Sequence, residues 1–99
     1  MAEEIVSLAV IEALPDMRDE LLKTLRELST LMQHKGYSRD ALLRDAATPK
    51  RVLLLRYWSS SQMRSEAQSD PEVHRYWLKL PELCTITVVY ESLEKVFET

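Results

Sequence analysis

His74, Arg56 and both tryptophans fall within one stretch, Val52–Leu80, VLLLRYWSSSQMRSEAQSDPEVHRYWLKL. His74 changes charge near neutral pH and could act as a general base, for example toward a phenolic proton. Arg56 could hold a carboxylate or stabilise an oxyanion. Trp58 offers a large flat face and one N–H donor, which suits a flat ligand. Tyr76 and Trp77 could widen that surface. Ser7, the polar residue inside an apolar N-terminal run, could hydrogen-bond beside it. Each also has a plainer reading. Trp58, Tyr76 and Trp77 could be core anchors, His74 an exposed helix residue, and Arg56 one half of a salt bridge at the edge of a pocket.

Other chemistries find little support. His34 and His74 stand far apart, with no HxxxH pattern and no cysteine pair, so no metal site is expected. One glycine in the whole chain leaves no glycine-rich phosphate loop. No Gly-x-Ser-x-Gly elbow occurs. The net charge of −3 argues against nucleic acid as a partner, because phosphate neutralisation needs a basic surface. No apolar run reaches the roughly 18 residues of a membrane span. The N-terminus is acidic ahead of its apolar run, the reverse of a secretion signal, so a cytoplasmic protein is expected. The lone Cys84 cannot form an internal disulfide and reads as a buried, inert thiol.

These residues need elements to position them. Val52–Leu55 is a continuous apolar run, the mark of a strand covered on both faces. Side-chain alternation puts Arg56 and Trp58 on one face and Tyr57 on the other. Ser59-Ser60-Ser61-Gln62 reads as a capping box opening a short helix that ends near Gln68. Asp70 caps a second helix with Pro71 at its first position. Val73, Tyr76, Trp77 and Leu80 make its apolar stripe, which His74 does not share, and Pro81 ends it.

Upstream, Glu4–Ala13 is an internal strand candidate. Met17, Leu21, Leu25, Leu28 and Met32 recur at helical spacing, which predicts a helix of about 18 residues. His34, Lys35 and Gly36 supply a cationic last turn and a C′ glycine. Tyr37–Ala46 has the mixed polarity of an edge strand and should form a hairpin with the central strand. Cys84–Tyr90 is a β-branched strand, and Ser92–Thr99 is a tail. At 99 residues this is a single domain, 1–99. The order β-α-β-β-α-β is the ferredoxin-like split pattern of an α+β fold with an antiparallel sheet. Both helices would cover one face of that sheet. The other face, also apolar, calls for a second copy, so a homodimer through the sheet faces is expected.

Leu55-Arg56-Tyr57-Trp58-Ser59-Ser60, followed by Ser69-Asp70-Pro71-Glu72-Val73, resembles the antibiotic biosynthesis monooxygenase family of dimeric α+β barrels. The resemblance spans the chain in element order and about 20 residues in motif. It implies a cofactor-independent monooxygenase acting with O2 on a small aromatic molecule of quinol or polyphenol type. Trp58 would line the cavity between sheet and helices, His74 would be the base, and Arg56 would stabilise the anion. Ser7, Tyr76 and Trp77 would contact substrate. The alternative it leaves is a barrel that binds a small ligand, or serves in stress response, without turnover. Two positions depart from the family pattern: Arg56 stands where many members carry an acidic residue, and Ala67 where many carry a histidine. The haem-degrading relatives' asparagine falls at Ser7, their second tryptophan close to Ala67 and their histidine nearest Tyr76 or Trp77, so haem degradation is not expected.

Overall fold

The computed structural model describes residues 5–99. Its elements are β1 (Ile5–Ala13), α1 (Arg18–His34), β2 (Ser38–Arg44), β3 (Arg51–Trp58), α2 (Ser61–Gln68), α3 (Pro71–Lys79) and β4 (Cys84–Leu93). The strands form one antiparallel sheet in the order β2-β3-β1-β4, the ferredoxin-like arrangement. Glu4, expected to open β1, lies outside the described residues.

The local signals explain most boundaries. Asp19 and Glu20 occupy the first turn of α1, where the dipole favours them. Gly36 takes a left-handed φ of 75° just past its end, which a glycine adopts at no steric cost. Leu21, Leu25, Leu28 and Met32 are buried, while Met17 sits ahead of α1 and is exposed. Asp70 caps α3 by accepting from Glu72 N–H, with Pro71 at the first helical position. Pro81 does not stop that helix at once, because Leu80–Glu82 continues as a 3-10 turn.

The capping box differs from expectation. Ser60, not Ser59, is the N-cap of α2, and its hydroxyl accepts from Met63 N–H. Met63 therefore holds the third helical position. Gln62 stands one place too early to reach back to the cap.

Cross-strand register fixes two faces. Toward the helices point Val52, Leu54, Arg56 and Trp58, all buried, with Ile5, Ser7, Ala9 and Ile11 opposite them on β1. Away from the helices, the residues fall in three rows across the sheet: Arg39–Tyr57–Val6–Leu93, Ala41–Leu55–Leu8–Tyr90 and Leu43–Leu53–Val10–Val88. Leu43, Val88 and Tyr90 are exposed, and among the described residues no helix packs over this side.

β4 runs past Tyr90 to Leu93, longer than its β-branched core suggests. It does so by a bulge. Leu8 pairs with Tyr90 and Val6 with Leu93, so Glu91 and Ser92 together oppose Ser7. A bulge of this kind bends the strand and re-aims its side chains.

Candidate functional site

Between the helix-facing side of the sheet and the α2–α3 pair lies a cavity of about 340 Å³. Small-molecule sites commonly start near ~300 Å³. Met32, Leu54, Ala67, Val73, Ile86 and Val89 give it apolar walls, and Trp58 and Trp77 give it two indole faces. Its polar lining is Ser7, Arg56, Arg64, Gln68 and Glu91.

Trp58 is fixed by a relay of hydrogen bonds. Its Nε1–H donates to Ser7 Oγ at 2.8 Å, and Ser7 Oγ–H donates to the Glu91 carbonyl at 2.8 Å. The bulge presents that carbonyl to Ser7, because it places two β4 residues against one β1 residue. Ser7 therefore positions the indole, holding its face toward the cavity with its polar edge satisfied.

Arg56 lies in the same polar row, and its charge is met within the protein. Asp40 stands directly across from it on β2. Arg56 Nε and Nη2 donate to Asp40 Oδ1 and Oδ2 at 3.0 and 2.8 Å. Ser38 and Ser29 hydroxyls donate to the same two oxygens, each at 2.8 Å. The Asp40 carboxylate thus accepts four hydrogen bonds, about its full capacity. Both side chains are buried. The guanidinium still faces aromatic surface, 5.5 Å from the Trp58 ring centre and 5.7 Å from that of Trp77.

The structure brings Ser7, Arg56, Trp58 and Trp77 to one cavity. It does not bring His74 or Tyr76 there. His74 is exposed on α3. Val73 and Trp77, one turn apart, take the inward face, so the residue next to Val73 is turned toward solvent. His74 is not among the residues that line the cavity. Tyr76 turns to the outer groove along α1, beside Leu31 and His34. Arg56 does line the cavity, but as the bound partner of Asp40 rather than a charge open to a ligand. Sequence reasoning missed Asp40, Arg64 and Glu91. Asp40 was legible in principle, as an acidic residue on a strand paired with the one bearing Arg56. The Glu91–Ser92 bulge left no sequence signal.

A second polar cluster holds the cavity's frame. Asp70 Oδ2 accepts from Lys35 Nζ at 2.7 Å and Tyr37 Oη at 2.6 Å, joining the end of α1 to the start of α3. Lys35 foremost, then Tyr37, hold the Asp70 carboxyl below its ordinary value near 3.8, at about 2. A carboxyl depressed on folding contributes stability above its unfolded value, and that contribution is lost as pH falls through the folded one. Wild-type protein should therefore lose stability between about pH 4 and pH 2 more steeply than Asp70→Asn. Urea midpoints across that range test this. Parallel curves for the two proteins would show that Asp70 gains nothing from its partners.

The chain matches the family model described as antibiotic biosynthesis monooxygenase over residues 5–82, well over half its length. It belongs to the antibiotic biosynthesis monooxygenase family. No curated protein matches it in sequence. Among solved structures, it superposes on PA3566 of Pseudomonas aeruginosa with a TM-score of 0.83, at 16% identity and 98% coverage of both chains. It is similar to SnoaB of Streptomyces nogalater, described as a cofactor-independent oxygenase (TM-score 0.79, 15% identity, 98% of this chain and 100% of that one). Rv0793 of Mycobacterium tuberculosis gives a TM-score of 0.75 at 19% identity, covering 95% and 99%. At such identities these neighbours establish the family's α+β ferredoxin-like fold and nothing finer. Among the described residues, no helix of this family member is long and apolar enough to cross a membrane. No cluster of three or more His, Cys, Asp or Glu is placed among them to hold a metal ion.

Proposed function

We propose that this protein is a cofactor-independent monooxygenase that takes a small electron-rich aromatic molecule, of quinol or polyphenol type, between Trp58 and Trp77, and that it works as a homodimer. The observation that carries this reading is the cavity, lined by two indoles and apolar side chains yet edged by Arg56, Arg64 and Glu91. Family membership and the likeness to SnoaB support it. Such a substrate brings its own electrons. One atom of O2 becomes a hydroxyl on a ring carbon in place of hydrogen. The two electrons and two protons released as the quinol becomes a quinone reduce the other atom to water. The protein must then bind the ring, remove a phenolic proton and exclude water.

The proton acceptor in this scheme is Glu91, the one acidic residue among those lining the cavity, and not His74. Trp58 and Trp77 hold the ring, and Ser7 holds Trp58. Oxygen uptake with a panel of quinols and anthrones, measured beside quenching of tryptophan fluorescence, tests the proposal. Quenching with O2 consumption is expected. Quenching without it would instead select a barrel that binds such molecules without turnover. The locking of Arg56 by Asp40 favours that second reading, since it removes one charge an oxyanion could have used.

A further inference from the structure

The cavity's charges do not balance where Arg64 stands. Arg56 is neutralised by its bidentate bond to Asp40. Arg64, half-buried on α2, takes part in none of the ion pairs formed among the described residues. Its Nη1 donates to Ser92 Oγ at 2.8 Å, and its guanidinium carbon lies 5.8 Å from the centre of the Trp58 ring. Ser92 is the second residue of the β4 bulge, so the same irregularity that lets Glu91 hold Ser7 also tethers Arg64 over the indole. The fork has five N–H donors, and a single neutral hydroxyl meets one of them.

The geometry points to Arg64 as the residue that selects an oxyanion on the aromatic ligand: a carboxylate or phenolate whose ring lies against Trp58. This rests on the reading of the Trp58–Trp77 cavity as a ligand site. A tethered, partly desolvated guanidinium beside an aromatic wall favours a planar oxyanion, since it can supply two parallel charge-assisted bonds. Glu91 lines the same cavity and opposes an anion at its own position. The ligand's charged group therefore belongs on the Arg64 side, and the Glu91 carboxylate faces the group that still carries a proton.

The test compares 2-naphthoate with 2-naphthamide, which share ring and shape but differ in charge. Quenching of tryptophan fluorescence reads their affinities. Wild-type protein should bind the naphthoate about tenfold or more tightly than the amide, the scale of a charged against a neutral hydrogen-bonded pair. Arg64→Gln should bring that ratio to within about twofold of one. Arg64→Lys, which keeps the charge but not the fork, should restore part of it, and Glu91→Gln should raise it. The amide is the internal control for folding in every variant. A ratio near one in wild-type protein, or a preference that survives Arg64→Gln, would overturn the assignment and leave the cavity reading standing. If neither probe binds wild-type protein, the cavity reading falls, and the role of Arg64 falls with it.

Discussion

Asp40→Ala is expected to cost about 3–5 kcal/mol, because it leaves the buried Arg56 guanidinium without its counter-charge. A domain of this size is stable by roughly 5–15 kcal/mol in total, so much of the folded population's margin is lost. The expense comes from desolvation. Arg56 sits between sheet and helices with only 5% of its side chain exposed, and water from the cavity would replace a bidentate carboxylate poorly there. Ser29 and Ser38 would also lose their acceptor. The double variant Asp40→Leu with Arg56→Met should recover most of the loss, since it removes both charges together and fills the space with apolar atoms. Urea denaturation of Asp40→Leu, Arg56→Met and their double gives the coupling directly. If Asp40→Ala shifted the midpoint no more than a surface substitution does, the pair would not be the electrostatic keystone of this face.

That pair also explains where sequence reasoning stopped. Arg56 was correctly placed on the face of Trp58, because strand alternation requires it. Its partner needed the register of the β2–β3 hairpin, and register depends on the turn. Asp45 N–H donates to Arg51 C=O, which sets Asp40 opposite Arg56. A slip of one residue in that turn would send Asp40 to the other face and leave Arg56 free to meet a ligand. The helix-borne residues failed for a related reason. Seven-residue spacing identified the stripe of Val73, Tyr76, Trp77 and Leu80, but a stripe has width. Tyr76 and Trp77, about 100° apart on α3, leave it toward opposite neighbours, Tyr76 to the α1 groove and Trp77 to the cavity. Element order, the α3 cap and the α1 terminus were all legible, because each depends on local chemistry. The bulge at Glu91–Ser92 was not, because it arises from how two strands of unequal length are matched.

The inner polar row acquires a physical sense from the same geometry. Arg56 stands across the ladder from Asp40, so the row carries its carboxylate on the neighbouring strand. Ala67 is buried and lines the cavity, where its methyl group leaves room that a larger side chain would fill.

Leu55→Asp should convert a dimer into a monomer. Leu55 lies mid-sheet in the central row of the outward face, between Ala41 and Leu8, with Tyr90 beyond. Strands about 4.8 Å apart and rows about 7 Å apart make this face several hundred Å² of largely apolar surface, a size that marks an interface more often than a solvated wall. Its charges gather at the borders: Arg39 lies over the Tyr57 ring at 4.2 Å, and Arg51 pairs with Glu12 at 3.2 Å. A carboxylate introduced at the centre would be solvated in a lone chain but buried and unpaired beneath a second copy, at a cost of several kcal/mol. The penalty is paired with its symmetry mate in a two-fold assembly, so it falls twice. Light scattering should find wild-type protein at twice the mass of one chain and the variant at one. Thermal melting supplies the second arm. The wild-type midpoint should rise with protein concentration, as it does when only the folded state associates, and the variant's should not. A wild-type protein that stays single at high concentration would refute the dimer. The three apolar rows would then have to remain in water, a costly arrangement for a domain whose inner core is no larger than this one.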